Sequence, residues 1–341
     1  MPEAASNTVK QKHVLVTGAT GFLGSRLVST LAGRGYRVRA LSRRPAAADT
    51  FRGTAVEPFS ADVADKASLR PAFDGIDIVV HAAADTSGSK EGAKSSTIEG
   101  TRNVVDLCEE VGVNKLIHIS SMSVYGVSDL RENSTVTEDA PLERYPEKRG
   151  HYTWGKVESE KLMLAAITRG TIPIVCLRPG TIFGPGGEIF TPMMGFSLGK
   201  KVFAIIGSGD FVLPLVYIDN LVDAIIQAIE KDESKGQVFN VVDPDNPSKK
   251  EYVENLLKKL YPEAWYFYLP YSLLYTAVWC QEILFGMLRR VPFLTRYRLT
   301  SSQKNIRYDP GKIKTVLAWK PAYTINEAFE TVIQYEKCRQ G

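Results

Sequence analysis

A tyrosine and a lysine stand four residues apart near the start of the helical pattern YTWGKVESEKLMLAAI. Tyr152 and Lys156 therefore share one helix face, with Cβ atoms roughly 6 Å apart. An ammonium group at that distance favours the phenolate form of tyrosine, which makes the pair a candidate for proton transfer. The pair would equally suit the solvated first turn of a surface helix. The surrounding elements must decide between the two interpretations.

Short β-rich runs alternate with longer helical patterns from Lys12 onward. HVLVTG, DIVVHAAA and NKLIHISS are nearly all apolar, which is typical of strands covered on both faces, and helical patterns separate them. The alternation predicts βαβ units and an α/β fold with a doubly wound parallel sheet. A further strand, PIVCLRPG, follows the helix that carries Tyr152.

The same patterns suggest a division of the chain. We expect residues 12–180 to form the main domain, with a strand and a helix returning to it from about 210–245. Residues 181–341 are then mainly a smaller, substrate-binding region. Residues 1–11 are polar, lack the apolar run of a secretory signal, and are interpreted as a flexible tail.

A glycine-rich turn joins the first predicted strand to the first helix in VLVTGATGFLG. Glycines at this spacing permit a tight turn, let a pyrophosphate approach the backbone, and allow the helix to pack closely, while the helix N-terminus supplies N–H donors. Because a strand precedes the run and a helix follows it, we predict a dinucleotide-binding Rossmann fold. The expected contact residues here are Gly18, Thr20, Gly21, Phe22, Leu23 and Gly24.

The end of the second predicted strand bears on the choice of dinucleotide. It reads RALSRRP, with Ser42, Arg43 and Arg44 and no carboxylate. A carboxylate there would bind the ribose 2′-OH of NAD, whereas arginine suits the 2′-phosphate of NADP. NADP(H) is therefore favoured over NAD(H), although the arginines would also fit a solvated turn. Asp62 and Val63 follow the third strand, where a carboxylate can reach the adenine amino group.

Five motifs follow one another along the chain: TGATGFLG, HAAA at 81–84, ISSMSVYG at 119–126, YTWGK, and LRPGTIFGPGG at 177–187. In this order they resemble the extended short-chain dehydrogenases/reductases of the NAD-dependent epimerase/dehydratase superfamily. The resemblance covers about residues 12–335. It implies that Ala82, Ala83 and Pro179 also line the cofactor site.

The resemblance implies catalytic roles as well. Tyr152 would be the general acid/base, since a phenol with a pKa of about 10 must shift by roughly three units, about 4 kcal/mol, to act as phenolate near neutrality. Lys156 would supply that shift and reach the nicotinamide ribose, and Ser121 would hydrogen-bond the substrate oxygen. Gly155 would keep bulk away from the pair. Thr97 stands where the family often has asparagine, so the role of that asparagine is not carried over.

Two further features bear on the substrate. Many nucleotide-sugar enzymes have a diphosphate-binding asparagine where Gly180 stands in LRPGT. The Arg-Pro-Gly pattern instead resembles dihydroflavonol reductases and 3β-hydroxysteroid dehydrogenases, although it would also simply shape a turn. The apolar stretch 271–288, within residues 264–298, has Glu282 as its only ionised side chain. The region around it resembles the C-terminal part of 3β-hydroxysteroid and sterol-4-carboxylate dehydrogenases.

The apolar stretch has three candidate locations. It could lie at a membrane interface, form a wall of the substrate pocket, or be buried against the main domain. The first would make the protein membrane-associated through residues 271–298. The second would place the stretch against a lipophilic substrate.

Composition excludes several classes of function. The net charge of +4 is spread along 341 residues, which gives no electrostatic case for nucleic-acid binding. The four cysteines lie far apart and predict neither a disulfide framework nor a metal site, so a reducing cytoplasm fits best. A homodimer is expected from the family alone.

We therefore expect an NAD(P)-dependent oxidoreductase that interconverts a secondary alcohol and a ketone on a hydrophobic substrate, either sterol-like or 3-oxoacyl. If that substrate is a β-hydroxy acid, its oxidation gives a β-keto acid that can lose carbon dioxide without further catalytic groups. One alternative is a nucleotide-sugar epimerase, dehydratase or reductase. Another, from a different class, is a non-catalytic NADP-binding regulator.

Overall fold

The structure is a computed structural model that describes residues 12–43, 51 and 56–340. The tail predicted at residues 1–11 and Arg44 lie outside the described residues.

Strands and helices alternate through the first half of the described chain, as the sequence predicts. The strands are β1 (His13–Thr17), β2 (Arg37–Ser42), β3 (Val56–Ser60), β4 (Ile78–His81), β5 (Lys115–Ile119), β6 (Thr135–Val136), β7 (Ile174–Pro179), β8 (Thr181–Phe183), β9 (Gly195–Leu198), β10 (Val202–Ile206), β11 (Leu215–Tyr217), β12 (Val238–Val241), β13 (Trp265–Leu269) and β14 (Arg307–Tyr308). The α-helices are α1 (Phe22–Gly33), α2 (Lys66–Leu69), α3 (Lys90–Gly92), α4 (Gly100–Val111), α5 (Pro146–Arg149), α6 (His151–Arg169), α7 (Ile218–Glu230), α8 (Lys249–Tyr252), α9 (Lys258–Leu260), α10 (Tyr271–Met287), α11 (Arg296–Gln303), α12 (Gly311–Val316) and α13 (Ile325–Gln340).

Seven parallel strands form the central sheet in the order β12-β7-β5-β4-β1-β2-β3. The chain fills one side of β1 first and then crosses to β4, so the direction of winding reverses between β1 and β4. In doubly wound sheets ligands bind at the carboxyl ends of the strands at such a reversal. The predicted α/β, doubly wound Rossmann architecture is confirmed.

Both faces of the sheet are covered, which explains the nearly all-apolar strands. Val14 and Val16 of β1 point into a core shared with α1 and α7, whereas Leu15 points into the opposite core with Val104 of α4 and Met163 of α6. Side chains alternate between the faces of a strand, so a strand between two helical layers must be apolar at every position.

The chain beyond residue 180 supplies smaller sheets, one further strand of the central sheet and a helix that packs on that sheet. The strand and helix expected from about 210–245 are α7, which packs on the central sheet, and β12, which pairs in parallel with β7. β9, β10 and β13 form a separate three-stranded sheet, and the pairs β8–β11 and β6–β14 are each parallel.

The apolar segment 264–298 is divided between several elements. Its first part is strand β13, which the sequence analysis did not predict, and its middle is helix α10. Val278 is the one buried residue within α10, so of the three candidate locations the one buried against the main domain does not hold. No helix in the described part of the chain is both long and apolar enough to span a bilayer.

Candidate active site

The glycine-rich turn lies between the carboxyl end of β1 and the start of α1. The backbone there is packed too closely for side chains on its glycines. Gly18 has φ +68°, and a Cβ on it would lie 2.9 Å from the backbone of Ala83. A Cβ on Gly24 would lie 2.0 Å from the carbonyl oxygen of Gly18. Gly21 caps α1 without a side-chain hydrogen bond, so the first N–H groups of the helix face the turn. This cradle fits a pyrophosphate.

Helix α6 carries Tyr152 and Lys156 along the edge of the same cleft. Lys156 is 5% exposed, and its Nζ donates a hydrogen bond to the carbonyl oxygen of Ile119, 2.8 Å away at the end of β5. Ser121 follows two residues later, and its Oγ accepts the N–H of Ser123 at 3.1 Å. Residues from β5 and α6 thus meet at one point of the cleft.

The protonation properties of this cluster differ from the sequence-based expectation. Burial raises the pKa of Tyr152, and a side-chain hydrogen bond with Ser121 lowers it in part. Tyr152 is still 37% exposed, and it lines the cleft. Burial lowers the pKa of Lys156 to about 8. The expected depression of the Tyr152 pKa by Lys156 is absent, because the ammonium group is directed at the Ile119 carbonyl.

A buried ion pair lies directly behind this cluster and was not anticipated. Glu160 is one helical turn beyond Lys156 and fully buried; it accepts hydrogen bonds from Nε of Arg178 at 2.8 Å and from Ser120 Oγ. Nη1 of Arg178 donates to Tyr125 Oη at 2.7 Å. The arginine of the LRPG motif therefore ties α6, the serine loop and β7 together. Glu160, within a generic amphipathic pattern, had no sequence signal of its own.

Most of the predicted site residues line one cleft of about 1360 Å³. Those that line it are Gly18, Thr20, Gly21, Phe22, Leu23, Gly24, Ser42, Arg43, Val63, Ala82, Ala83, Ser121, Tyr152, Lys156 and Pro179. Asp62 is the exception. Its Oδ1 accepts the backbone N–H of Ala64 at 3.0 Å, and its carboxylate does not line the cleft, so its contact with adenine stays a prediction.

Gly155 has a different role from the one expected. A Cβ on Gly155 would lie 3.3 Å from the side chains of Ala93 and Thr97. The glycine therefore lets α6 pack closely on the π-helical segment Ala93–Glu99 rather than clearing space around Tyr152. Thr97 is buried there, and its Oγ1 accepts the N–H of Asp85 at 2.9 Å. The Thr97 hydroxyl thus has a structural hydrogen bond to the backbone of Asp85.

Gly180 is likewise required by the backbone. A Cβ on it would lie 2.4 Å from the carbonyl oxygen of Pro214, and Thr181 donates its N–H to the same oxygen at 2.7 Å. No side chain fits at this position. The turn-shaping interpretation of Gly180 is therefore correct for the glycine itself, whatever the substrate.

Comparison with known proteins places this site in a family. The profile of the NAD dependent epimerase/dehydratase family matches residues 14–241, which include the glycine turn, Ser121, Tyr152 and Lys156. The chain belongs to the NAD-dependent epimerase/dehydratase family. The predicted membership is confirmed, as is the prediction of a dehydrogenase or reductase acting on CH–OH groups at the level of the family.

Two curated relatives and one solved structure illustrate the similarity. The chain is 29% identical to the Arabidopsis thaliana 3beta-hydroxysteroid-dehydrogenase/decarboxylase isoform 1, covering 96% of this chain and 80% of that protein. It is 28% identical to the Mus musculus sterol-4-alpha-carboxylate 3-dehydrogenase, decarboxylating, over 95% and 91% of the two chains. It resembles in fold the UDP-glucuronic acid 4-epimerase from Bacillus cereus in complex with NAD, with TM-score 0.73, 23% identity and coverage of 96% and 100%.

The cleft residues fit the dinucleotide that the epimerase/dehydratase family uses. The glycine turn and the open N-terminus of α1 would hold the pyrophosphate, and Ala82 and Ala83 follow β4 at the winding reversal. Lys156 lies where β5 ends. A bound dinucleotide would thus occupy the part of the cleft beside the glycine turn, which leaves the rest of the cleft for a substrate.

Proposed function

We propose that this protein is an NADP(H)-dependent oxidoreductase that interconverts a secondary alcohol and a ketone on a lipophilic substrate. One observation carries the proposal: Ser121, Tyr152 and Lys156 share a cleft with a largely apolar wall. The apolar side chains of that wall are Phe190, Met193, Phe196, Phe211, Phe293, Leu294 and Leu299. A hydrocarbon substrate would gain about 25 cal/mol per Å² of apolar surface that it buries there.

Each polar residue of the cluster has a distinct task in this proposal. Tyr152 donates its phenolic proton to the ketone oxygen during reduction and takes a proton from the alcohol during oxidation. Its raised pKa keeps the phenol protonated near neutral pH, which suits reduction. Ser121 holds the substrate oxygen beside the phenol, and Lys156 reaches the nicotinamide ribose. When bound, the nicotinamide dinucleotide supplies or accepts the hydride.

The relatives support a sterol-like substrate, since two of them are named for activity on a 3β-hydroxysteroid and on a sterol-4α-carboxylate. The nucleotide-sugar alternative is supported by likenesses in fold at low identity, among them the UDP-glucuronic acid 4-epimerase at 23%. The presence of all three polar residues in the cleft argues against a non-catalytic regulator.

Turnover assays separate these functions. We expect the protein to reduce NADP⁺ with a 3β-hydroxysteroid and to show neither turnover nor binding with UDP-glucose. Turnover of UDP-glucose without any steroid activity would replace the proposal with the nucleotide-sugar alternative. Dinucleotide binding without turnover of either compound would favour the regulator.

The NADP(H) preference is proposed on the position of Arg43. It lies just beyond the end of β2, is exposed, and lines the cleft near the glycine turn. A guanidinium group there suits a 2′-phosphate.

We also propose that α10 and the loop after it rest on an anionic lipid bilayer. Met287, Val291 and Phe293 are 79%, 88% and 82% exposed, and Arg289 and Arg290 stand between them. Exposed apolar side chains flanked by arginines are complementary to an anionic membrane surface. No residue of α10 lines the cleft, but Phe293 does, so a docked face would continue into the cleft mouth. The expected homodimer stays a prediction.

A further inference from the structure

The small sheet of β9, β10 and β13 has an apolar face that is open to solvent. Cross-strand pairing places Phe196 and Phe267 on either side of one β10 residue, and Leu198 and Trp265 on either side of another. Side chains that pair across strands, or that lie two apart along a strand, share one face of a sheet. Leu198 and Trp265 are 77% and 78% exposed, and the two phenylalanines about half exposed. The four side chains therefore form one surface, which we call the outer face.

The opposite face of this sheet is fixed in the core. Phe203 and Ile205 of β10 are buried there, and the ring of Phe203 stacks on that of Tyr266 with centroids 5.2 Å apart. The sheet cannot turn to hide its outer face without breaking this packing. An exposed apolar surface of several large side chains on a well-packed element marks an interaction site.

The outer face leads into the cleft. Gly195 and Phe196, at the start of β9, line the cleft, whereas Leu198 and Trp265 lie beyond its lining. The loop after α10 contributes Phe293, which also lines the cleft and is mostly exposed. Two exposed apolar surfaces, the outer face and α10 with its loop, thus each supply a phenylalanine to the cleft.

The charges beside the outer face are mainly positive. Strands β9, β10 and β13 carry no charged side chain, and the turn that joins β9 to β10 contains Lys200 and Lys201. Glu263, two residues before Trp265, offsets one of these charges. The N–H of Trp265 donates to the carbonyl oxygen of Lys201 at 2.8 Å, which holds the tryptophan beside the lysines. Tryptophan and lysine at the rim of an apolar surface are typical anchors at the interface of a membrane.

We propose that the outer face lies on an anionic lipid bilayer together with α10, and that the substrate enters the cleft from that bilayer past Phe196 and Phe293. A lipophilic molecule that takes this route exchanges one apolar environment for another and need not cross water. A bilayer also supplies negative charge to Lys200 and Lys201, whereas a second copy of the same face would supply apolar contact alone. The inference rests on the proposed function, because the route serves a lipophilic substrate.

Tryptophan fluorescence tests the contact directly. The chain has four tryptophans; Trp319 is fully buried, Trp265 is on the outer face, and Trp279 is on α10. Trp279→Phe leaves Trp265 as the reporter of the outer face. Vesicles of phosphatidylserine and brominated phosphatidylcholine should quench this protein, and additional replacement Trp265→Phe should remove most of the quenching. Equal quenching of the two proteins, or none of either, would overturn the inference.

Kinetics test the route of entry. The probe is cholesterol, presented either in phosphatidylserine-containing vesicles or from methyl-β-cyclodextrin without vesicles. Leu198→Glu combined with Trp265→Glu should lower kcat/KM for the vesicle form about tenfold or more and leave the cyclodextrin form within about twofold. Val111→Glu, on the exposed side of α4, should change neither value. Equal losses for both forms, or no loss for the vesicle form, would overturn the route.

The quenching experiment needs no turnover, which keeps the inference separate from the proposed function. Quenching of Trp265 in a protein that oxidises no steroid would uphold the docking surface while the proposed function fails. Steroid oxidation without quenching of Trp265 would leave the proposed function standing and overturn the inference. A dimer that becomes monomeric in the double glutamate variant, with no quenching of either protein, would also overturn it, because a second copy would then cover the outer face.

Discussion

Tyr152 and Lys156 share a helix face, and burial shifts their pKa values in opposite directions. Burial works against the phenolate at Tyr152 and against the ammonium at Lys156, so the pKa of the first is raised and that of the second lowered to about 8. Both shifts favour the neutral forms. Tyr152 is therefore set to donate a proton, while Nζ of Lys156 donates to the carbonyl oxygen of Ile119.

Tyr152→Phe removes the proposed proton donor and changes little else. We expect kcat to fall about 10²- to 10⁴-fold, because that is the usual contribution of general acid–base catalysis. Dinucleotide affinity, measured by fluorescence titration, should stay within about threefold. Tyr145→Phe is the matched control, since Tyr145 is 43% exposed and lies outside the cleft lining. Turnover that survives in the Tyr152 variant would remove this residue from the mechanism.

Arg43→Ala tests the dinucleotide preference at the scale of one side chain. The affinity for NADPH should fall about tenfold or more while that for NADH is unchanged, because only the former has a 2′-phosphate for the guanidinium group to bind. Titration of both dinucleotides measures the ratio. Arg102→Ala serves as the control for general charge loss. An unchanged ratio would show that Arg43 is a solvated residue.

At the scale of elements, helix α1 packs closely on the rest of the protein, whereas most of helix α10 is exposed. Helix α1 must approach the glycine turn closely. Two of its glycines differ in how much room a side chain would have. A Cβ on Gly24 would meet the Gly18 carbonyl oxygen at 2.0 Å, whereas one on Gly33 would meet nothing within 4 Å.

Gly24→Ala should therefore force the helix away from the turn. We expect a loss of about 1–3 kcal/mol in the free energy of unfolding and a large loss of dinucleotide affinity. Gly33→Ala in the same helix should instead raise stability by about 0.5–1 kcal/mol, because alanine restricts the unfolded chain. Urea denaturation and dinucleotide titration measure the two effects. Similar behaviour of the two variants would contradict the close approach.

Helix α10 exposes apolar side chains for which the described chain offers no cover. Met287→Glu combined with Val291→Glu should abolish cosedimentation with phosphatidylserine vesicles and leave turnover of a soluble substrate intact. Val111→Glu, at a position that is 41% exposed on α4, should not affect vesicle binding. A dimer that becomes monomeric in the double variant, without vesicle binding by either protein, would show that a second copy covers this face.

At the scale of the whole molecule, three buried lysines link stability to pH. Burial lowers the pKa of Lys115 and Lys156 to about 8 and that of Lys249 to about 7, against 10.5 ordinarily. Between these values the unfolded chain binds more protons than the folded one, so the free energy of unfolding rises with pH. The destabilising buried charge is fully present below the folded pKa and disappears as pH increases.

Lys249 is the best single probe of this linkage, because it is fully buried and, among the described residues, its Nζ donates to the Ile206 carbonyl and the Gln303 side chain. We expect stability to rise from pH 7 to 9, and Lys249→Met to remove about 1–2 kcal/mol of that rise. Urea denaturation at each pH measures it. An identical pH dependence in both proteins would show that Lys249 keeps its ordinary pKa when folded.

Local features of this protein could be predicted because they depend on residues close in sequence. The spacing of Gly18, Gly21 and Gly24 between strand and helix, the all-apolar strands and the i, i+4 pair at Tyr152 are short-range patterns. Their meaning follows from backbone geometry and side-chain periodicity alone. The family was predicted separately, from the resemblance of five motifs in order, and the match to residues 14–241 confirms it.

Tertiary structure alone decided the features that join distant parts of the chain. The bond of Arg178 to Glu160, the approach of Arg298 to Gly150, and the division of segment 264–298 between β13, α10 and α11 have no local signal. The direction of the Tyr152 and Lys156 pKa shifts belongs here too, because it depends on how much protein surrounds each group. Sequence periodicity tells which face of a helix is apolar, but burial and charge pairing depend on what the fold brings against that face.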